Sequence, residues 1–202
     1  MRKVVNDFIE KLKKSDIVLA YWKLTGRKLP PPHVYKQSVI KELAKKFGIE
    51  EIVETGTFKG DMIEALKKRF KKLSSIELSE FYYKNALVKF KKDKHVNIIW
   101  GDSGREIKKM LKTLKNPVLF WLDGHFSGGK TAKAKVNTPV LQELESILKH
   151  KVKNHIILID DARLFNGKDD YPKMSHIKKM IKGMNYQLNV KDDIIRITPI
   201  TV

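Results

Sequence analysis

Apolar and polar positions follow two rhythms along this chain, and the switches between them mark out its elements. Five short apolar runs, EEIVE, LSSIE, VNIIWGD, PVLFWLD and HIILIDD, read as β-strands. Each finishes on a carboxylate: Glu54, Glu77, Asp102, Asp123, and the pair Asp160 and Asp161. Between the strands the pattern shifts to the i, i+3, i+4, i+7 spacing of amphipathic helices. Helices are expected over residues 61–72, 80–92, 103–114, 138–150 and Met174–Lys182. Asp61 with Glu64 and Ser103 with Glu106 have the spacing of capping boxes, Ser79 can cap the helix that follows it, and Thr138-Pro139 is a cap followed by proline.

Upstream, Val4, Val5, Phe8, Ile9 and Leu12 share one face of a helix over residues 3–14, and a second covers Ile17–Leu24. The three prolines of GRKLPPPHVYKQ predict an extended loop before a helix carrying Ile40, Leu43, Ala44 and Phe47, which Gly48 stops. At the other end YQLNV and IIRIT, separated by Lys191-Asp192-Asp193, read as a hairpin. The whole predicts an α/β chain forming one domain over 1–202. Residues 1–48 make a helical extension. Residues 49–202 form a Rossmann-like core, a seven-stranded mixed sheet, mostly parallel and closed by the hairpin, with helices on both faces.

Parallel strands align their C-terminal ends along one edge, and ligands bind outside that edge where strand order reverses. A row of acids there disfavours its own ionisation unless a partner brings hydroxyls, positive charge or a metal. The loop after the first strand, Glu54-Thr55-Gly56-Thr57-Phe58-Lys59-Gly60, supplies glycines for a tight turn and a close backbone approach. It lacks the three glycines of the dinucleotide fingerprint, and its leading acid would repel a pyrophosphate. A ligand with ammonium and sulfonium charges, S-adenosylmethionine, suits it better. Glu77 is then placed to take the ribose hydroxyls, and Asp102 and Ser103 to face the adenine.

Composition narrows the reading. The 202 residues include no cysteine, which excludes disulfides, thiolate metal sites and a cysteine nucleophile. The formal charge of +19 comes from lysines spread over helix faces such as KKRFKK and HIKKMIK rather than from an arginine-rich block. That favours a solvated lysine surface over a nucleic-acid partner. No apolar run is long enough to span a membrane, and no signal-peptide core precedes the first helix, so a cytoplasmic protein is expected. The oligomeric state is open to a homo-oligomer.

VETGTFKGD, SIELS and GDS together resemble class I S-adenosylmethionine-dependent methyltransferases. The likeness is nearest to metal-dependent O-methyltransferases of the catechol, caffeoyl-CoA and antibiotic-sugar type. The resemblance implies Mg²⁺ held by Asp123, Asp160 and Asp161, a set of oxygen donors that also suits a hard cation on chemical grounds. It implies Mg-assisted O-methylation of a small hydroxylated or sugar acceptor, with Lys36-Gln37 near the cofactor entrance. Catechol-type enzymes carry a lysine base three residues after the fourth-strand acid; here that position is Phe126, and His125 is the candidate base. Asp123 is thus a candidate in cofactor binding, metal binding and catalysis.

Two rival readings use the same features. Gly124-His-Phe-Ser-Gly-Gly129-Lys130-Thr131 satisfies the P-loop pattern for ATP, whereas the methyltransferase reading makes residues 124–137 a lid. The basic surface also fits an RNA methyltransferase.

Overall fold

The computed structural model describes residues 16–124 and 138–200. The helix expected over 3–14 lies outside them. Two helices, α1 (Asp16–Leu24) and α2 (His33–Lys46), precede β1 (Glu51–Thr55). The alternation continues as α3 (Asp61–Leu66), β2 (Lys72–Glu77), α4 (Glu80–Phe90), β3 (Val96–Trp100), α5 (Ser103–Leu111) and β4 (Leu119–Leu122). Then come α6 (Val140–Lys149), β5 (Ile156–Ile159), α7 (Met174–Ile181), β6 (Tyr186–Lys191) and β7 (Ile194–Pro199).

The seven strands form one sheet in the order β3-β2-β1-β4-β5-β7-β6. The first five strands run parallel, while β7 is antiparallel to both β5 and β6. From β1 the chain first moves outward to β2 and β3, then returns to place β4 on the other side of β1. That reversal opens the crevice between β1 and β4, where ligands of such sheets sit.

Side chains alternate across the strands, and the core divides accordingly. Val53, Ile76, Phe120, Leu122, Ile157 and Ile159 pack under α5, α6 and α7. Ile52, Leu73, Trp121, Ile156 and Leu158 pack under α2, α3 and α4. Strands covered on both faces read as continuous apolar runs, as seen in LFWL and IILI, which are buried throughout. Each fully buried aliphatic side chain contributes about 1.5–3 kcal/mol.

Several local expectations change. The loop expected over GRKLPPPHVYKQ ends early, because Pro32 is the N-cap of α2 and His33 already lies in the helix; proline's fixed φ suits a helix entrance. Helix α3 stops at Leu66, well short of residue 72, since the chain must turn so that Lys71 N–H reaches Glu50 O at 2.8 Å beside β1. Gly60, not Asp61, is its N-cap, in the left-handed region at φ 70°. Ser79 is the N-cap of α4 but its hydroxyl makes no capping bond. Before α5 the cap is Asp102, which accepts from Arg105 N–H, so Ser103 is the first helical residue. Pro139 is the N-cap of α6, and the Thr138 hydroxyl accepts from Val140 N–H at 3.3 Å.

Candidate functional site

The strand-end acids do converge. In register, Glu54 lies opposite Trp121 of β4 and Thr55 opposite both Ile76 and Leu122. Asp123, one residue past β4, donates its N–H to Thr55 O at 3.2 Å and to the Thr55 hydroxyl at 3.1 Å. Gly124 N–H reaches the same hydroxyl at 3.1 Å. Gly56 makes this juxtaposition possible: its φ is 84°, and a Cβ there would stand 2.6 Å from the Asp123 carbonyl oxygen. No side chain fits. At Gly60 a Cβ would meet the Phe90 ring of α4 at 2.6 Å, so packing also calls for a glycine there.

Glu77 is 7% exposed and accepts two backbone N–H groups, Phe58 at 2.7 Å and Ser79 at 2.7 Å. It thereby ties the β1 loop to the start of α4. A carboxylate offers about four lone-pair positions, so the expected ribose contact uses what these two bonds leave. Glu54 is buried and accepts from the Ser75 hydroxyl at 2.6 Å, which in turn pairs with the Thr57 hydroxyl at 2.6 Å. Burial pushes the Glu54 carboxyl up to about 8, with the negative charges of Asp123 and Glu77 adding and the Ser75 bond opposing. The group is therefore largely protonated at neutral pH and would ionise when a cation arrives beside it. Ser103 is buried close to Gly124, whose Cβ would stand 3.3 Å from the Ser103 hydroxyl. Asp102 lies at the same edge as the α5 cap.

On the β4–β5 side a different arrangement appears. Asp160 follows β5 and is 3% exposed. One of its oxygens accepts from Asp161 N–H at 2.9 Å, and the other forms an ion pair with Lys36 of α2. Burial alone would lower the Lys36 pKa, but the carboxylates of Asp160, Asp123 and Asp161 outweigh it and hold it above the ordinary value. Lys36 is a fixed cation. Asp161 sits at φ 55° and pairs with Arg163 at 2.8 Å; Arg163 also pairs with Asp193, the second aspartate of the hairpin turn. Asp192, its neighbour, accepts from the Tyr35 hydroxyl and pairs with Arg27 at 3.4 Å.

These contacts revise the metal expectation. A Mg²⁺ among Asp123, Asp160 and Asp161 needs carboxylate lone pairs that no other cation faces. Both Asp160 oxygens are already engaged, an ammonium stands against one of them, and a guanidinium holds Asp161. Among the described residues no cluster of three or more His, Asp or Glu side chains has a metal-holding arrangement. The residues do not fit a resident divalent ion. His125, the candidate base, lies outside the described residues, as does the P-loop candidate beyond Gly124 and the expected lid. Gln37 is buried and bonded to the His33 ring at 2.7 Å within α2.

The sequence reading noticed Lys36 only as a neighbour of Gln37, and missed Asp193, Asp192 and Tyr35. Partners 124 and 157 residues apart leave no local pattern. The sequence signal there is the DD dipeptide of the turn, whose two residues take positive φ at 50° and 65°.

No protein-family model matches the chain, and no curated protein matches it in sequence. Solved structures match it over nearly its whole length. An O-methyltransferase from Bacillus cereus, in complex with SAH, superposes with a TM-score of 0.61 at 14% identity, covering 98% of this chain and 97% of that one. The SAH-bound Podospora anserina methyltransferase PaMTH1 gives 0.59 at 16% identity over 100% and 97%. The O-methyltransferase TomG from Streptomyces achromogenes, involved in tomaymycin synthesis and in complex with SAM, gives 0.60 at 15% identity over 86% and 82%. The fold of this chain is that of the class I methyltransferases. Among the described residues no helix is long and apolar enough to cross a membrane.

Proposed function

We propose that the protein is an S-adenosylmethionine-dependent methyltransferase that transfers the methyl group to an oxygen of a small hydroxylated or sugar acceptor. One observation carries the reading: the Gly56 turn brings Glu54, Thr55 and Asp123 together at the point where strand order reverses, with Glu77 bonded to the same loop. A negative rim of this kind suits a donor whose reactive sulfur is a cation. The SAM- and SAH-bound neighbours of the same fold support it.

In the transfer, the acceptor oxygen attacks the methyl carbon in line with the sulfur. The S–CH₃ bond breaks, its electrons neutralise the sulfonium, and the hydroxyl proton leaves to a base. The chain's own residues supply position. Thr55 fixes the β4 loop through two N–H bonds, and Glu77 fixes the β1 loop. Holding reactants in line is worth several orders of magnitude in rate.

Calorimetry with S-adenosylmethionine, S-adenosylhomocysteine and ATP, each with and without Mg²⁺, tests the reading. Both adenosyl compounds should bind, independently of Mg²⁺, and ATP should not. Binding of ATP alone would overturn it in favour of the Gly124–Thr131 reading.

A further inference from the structure

The end of β5 holds a cation that belongs to the chain. Helix α2 packs on β4 and β5, and its first turn delivers Lys36 to the end of β5. The Lys36 side chain is only 13% exposed, and that of its partner Asp160 is 1% exposed. Two more carboxylates, Asp123 and Asp161, lie close enough to stabilise the ammonium. A divalent ion in the same cluster would stand beside a like charge and compete for an oxygen already occupied. Arg163 closes the other flank by bridging Asp161 to Asp193.

We infer that the ε-ammonium of Lys36 is the resident cation of the acceptor pocket, standing where a divalent ion would, and that it orients the acceptor oxygen without a metal. The inference rests on the proposed methyl transfer. An ammonium has three N–H donors and no acceptor; with one committed to Asp160, the others can hold an acceptor oxygen or oxyanion. Such a point cation favours a single oxygen over the paired oxygens that a chelating metal ion binds. Lys36 is a positioning residue on this account, and its sustained protonation makes it unsuited to act as the base.

The test is Mn²⁺ binding, followed by the electron-spin resonance of the free ion, on the full chain loaded with S-adenosylhomocysteine. Wild type should show no Mn²⁺ site that Asp160→Asn removes. Lys36→Met frees the Asp160 carboxylate and should gain a site, raising Mn²⁺ affinity by about tenfold or more. Lys36→Met/Asp160→Asn should lose it again, and Lys36→Arg should resemble wild type. A wild-type site that disappears in Asp160→Asn overturns the inference, as does a Lys36→Met protein that binds S-adenosylhomocysteine normally yet gains no Mn²⁺. Wild type alone is decisive should Lys36→Met fail to fold. Calorimetry with S-adenosylhomocysteine separates the two ideas. Its absence in wild type removes the methyltransferase reading, whereas Mn²⁺ binding beside intact cofactor binding removes only the role of Lys36.

Discussion

Replacing Glu54 by glutamine isolates a single titration from the rest of the fold. The carboxyl is 3% exposed, and burial moves it from the ordinary 4.5 up to about 8. In the unfolded chain it ionises near the ordinary value. Between the two values the unfolded state has given up a proton that the folded state keeps. An acid raised in this way costs stability as the pH climbs through that window, and costs nothing below it. Each pH unit is worth about 1.36 kcal/mol. Going from about pH 5.5 to about pH 7.5, Glu54 alone should therefore remove about 2–3 kcal/mol. Glu54→Gln keeps the volume and an oxygen that can accept from the Ser75 hydroxyl, and it has no proton to lose. Urea unfolding at both pH values should show the variant gaining about 2–3 kcal/mol on wild type over that interval. Parallel pH dependences would refute the reasoning. The same linkage reaches the cofactor, because a cationic donor beside Glu54 should drive the proton off. Heats of S-adenosylmethionine binding near neutral pH should then depend on the buffer's ionisation enthalpy in wild type and lose that dependence in Glu54→Gln.

Three further outcomes follow from the same geometry. His155 accepts from Val118 N–H at 3.0 Å and is pushed by burial down to about 4, so the unfolded imidazole takes up a proton first; stability should fall by about 1.4 kcal/mol per unit as pH drops from 6.5 towards that value, and His155→Asn should flatten the slope in urea melts. Gly56→Ala forces a left-handed residue against the Asp123 carbonyl and should lower stability by about 2–3 kcal/mol while abolishing S-adenosylhomocysteine binding; normal binding by this variant would contradict the role given to the turn. Glu77→Gln points an amide NH₂ at one of two backbone N–H groups, costs about 2–3 kcal/mol in unfolding free energy, and should weaken S-adenosylhomocysteine at least about tenfold by calorimetry.

The sheet was legible because its determinants are local and repeated. LFWL and IILI are apolar at every position, as strands buried on both faces must be, and each is followed at once by its acid. The rim followed from that alternation, since parallel strands can put their ends only on one edge. Helix starts were harder. Ser103 with Glu106 has capping-box spacing, yet the chain leaves β3 so that Asp102 reaches the first free N–H groups. A hydroxyl or carboxylate caps only where the backbone presents those donors, and sequence spacing does not report where that is. Gly60 illustrates a second limit: its neighbour Phe90 comes from the following helix, so the packing need for a glycine there leaves no local signal. The Lys36–Asp160 and Tyr35–Asp192 pairs lie beyond any local pattern, because only the assembled sheet brings α2 to the ends of β5 and the hairpin.

The ties of the hairpin turn set an order for how this molecule matures on the ribosome. Arg163 emerges roughly thirty residues ahead of Asp193, and Tyr35 precedes Asp192 by far more. Lys36 can pair with Asp160 and Arg163 with Asp161 once β5 is in place, but the Arg163–Asp193 and Tyr35–Asp192 contacts wait for the hairpin turn. The hairpin is thus the clasp that fastens α2 and the segment after β5 to a single turn.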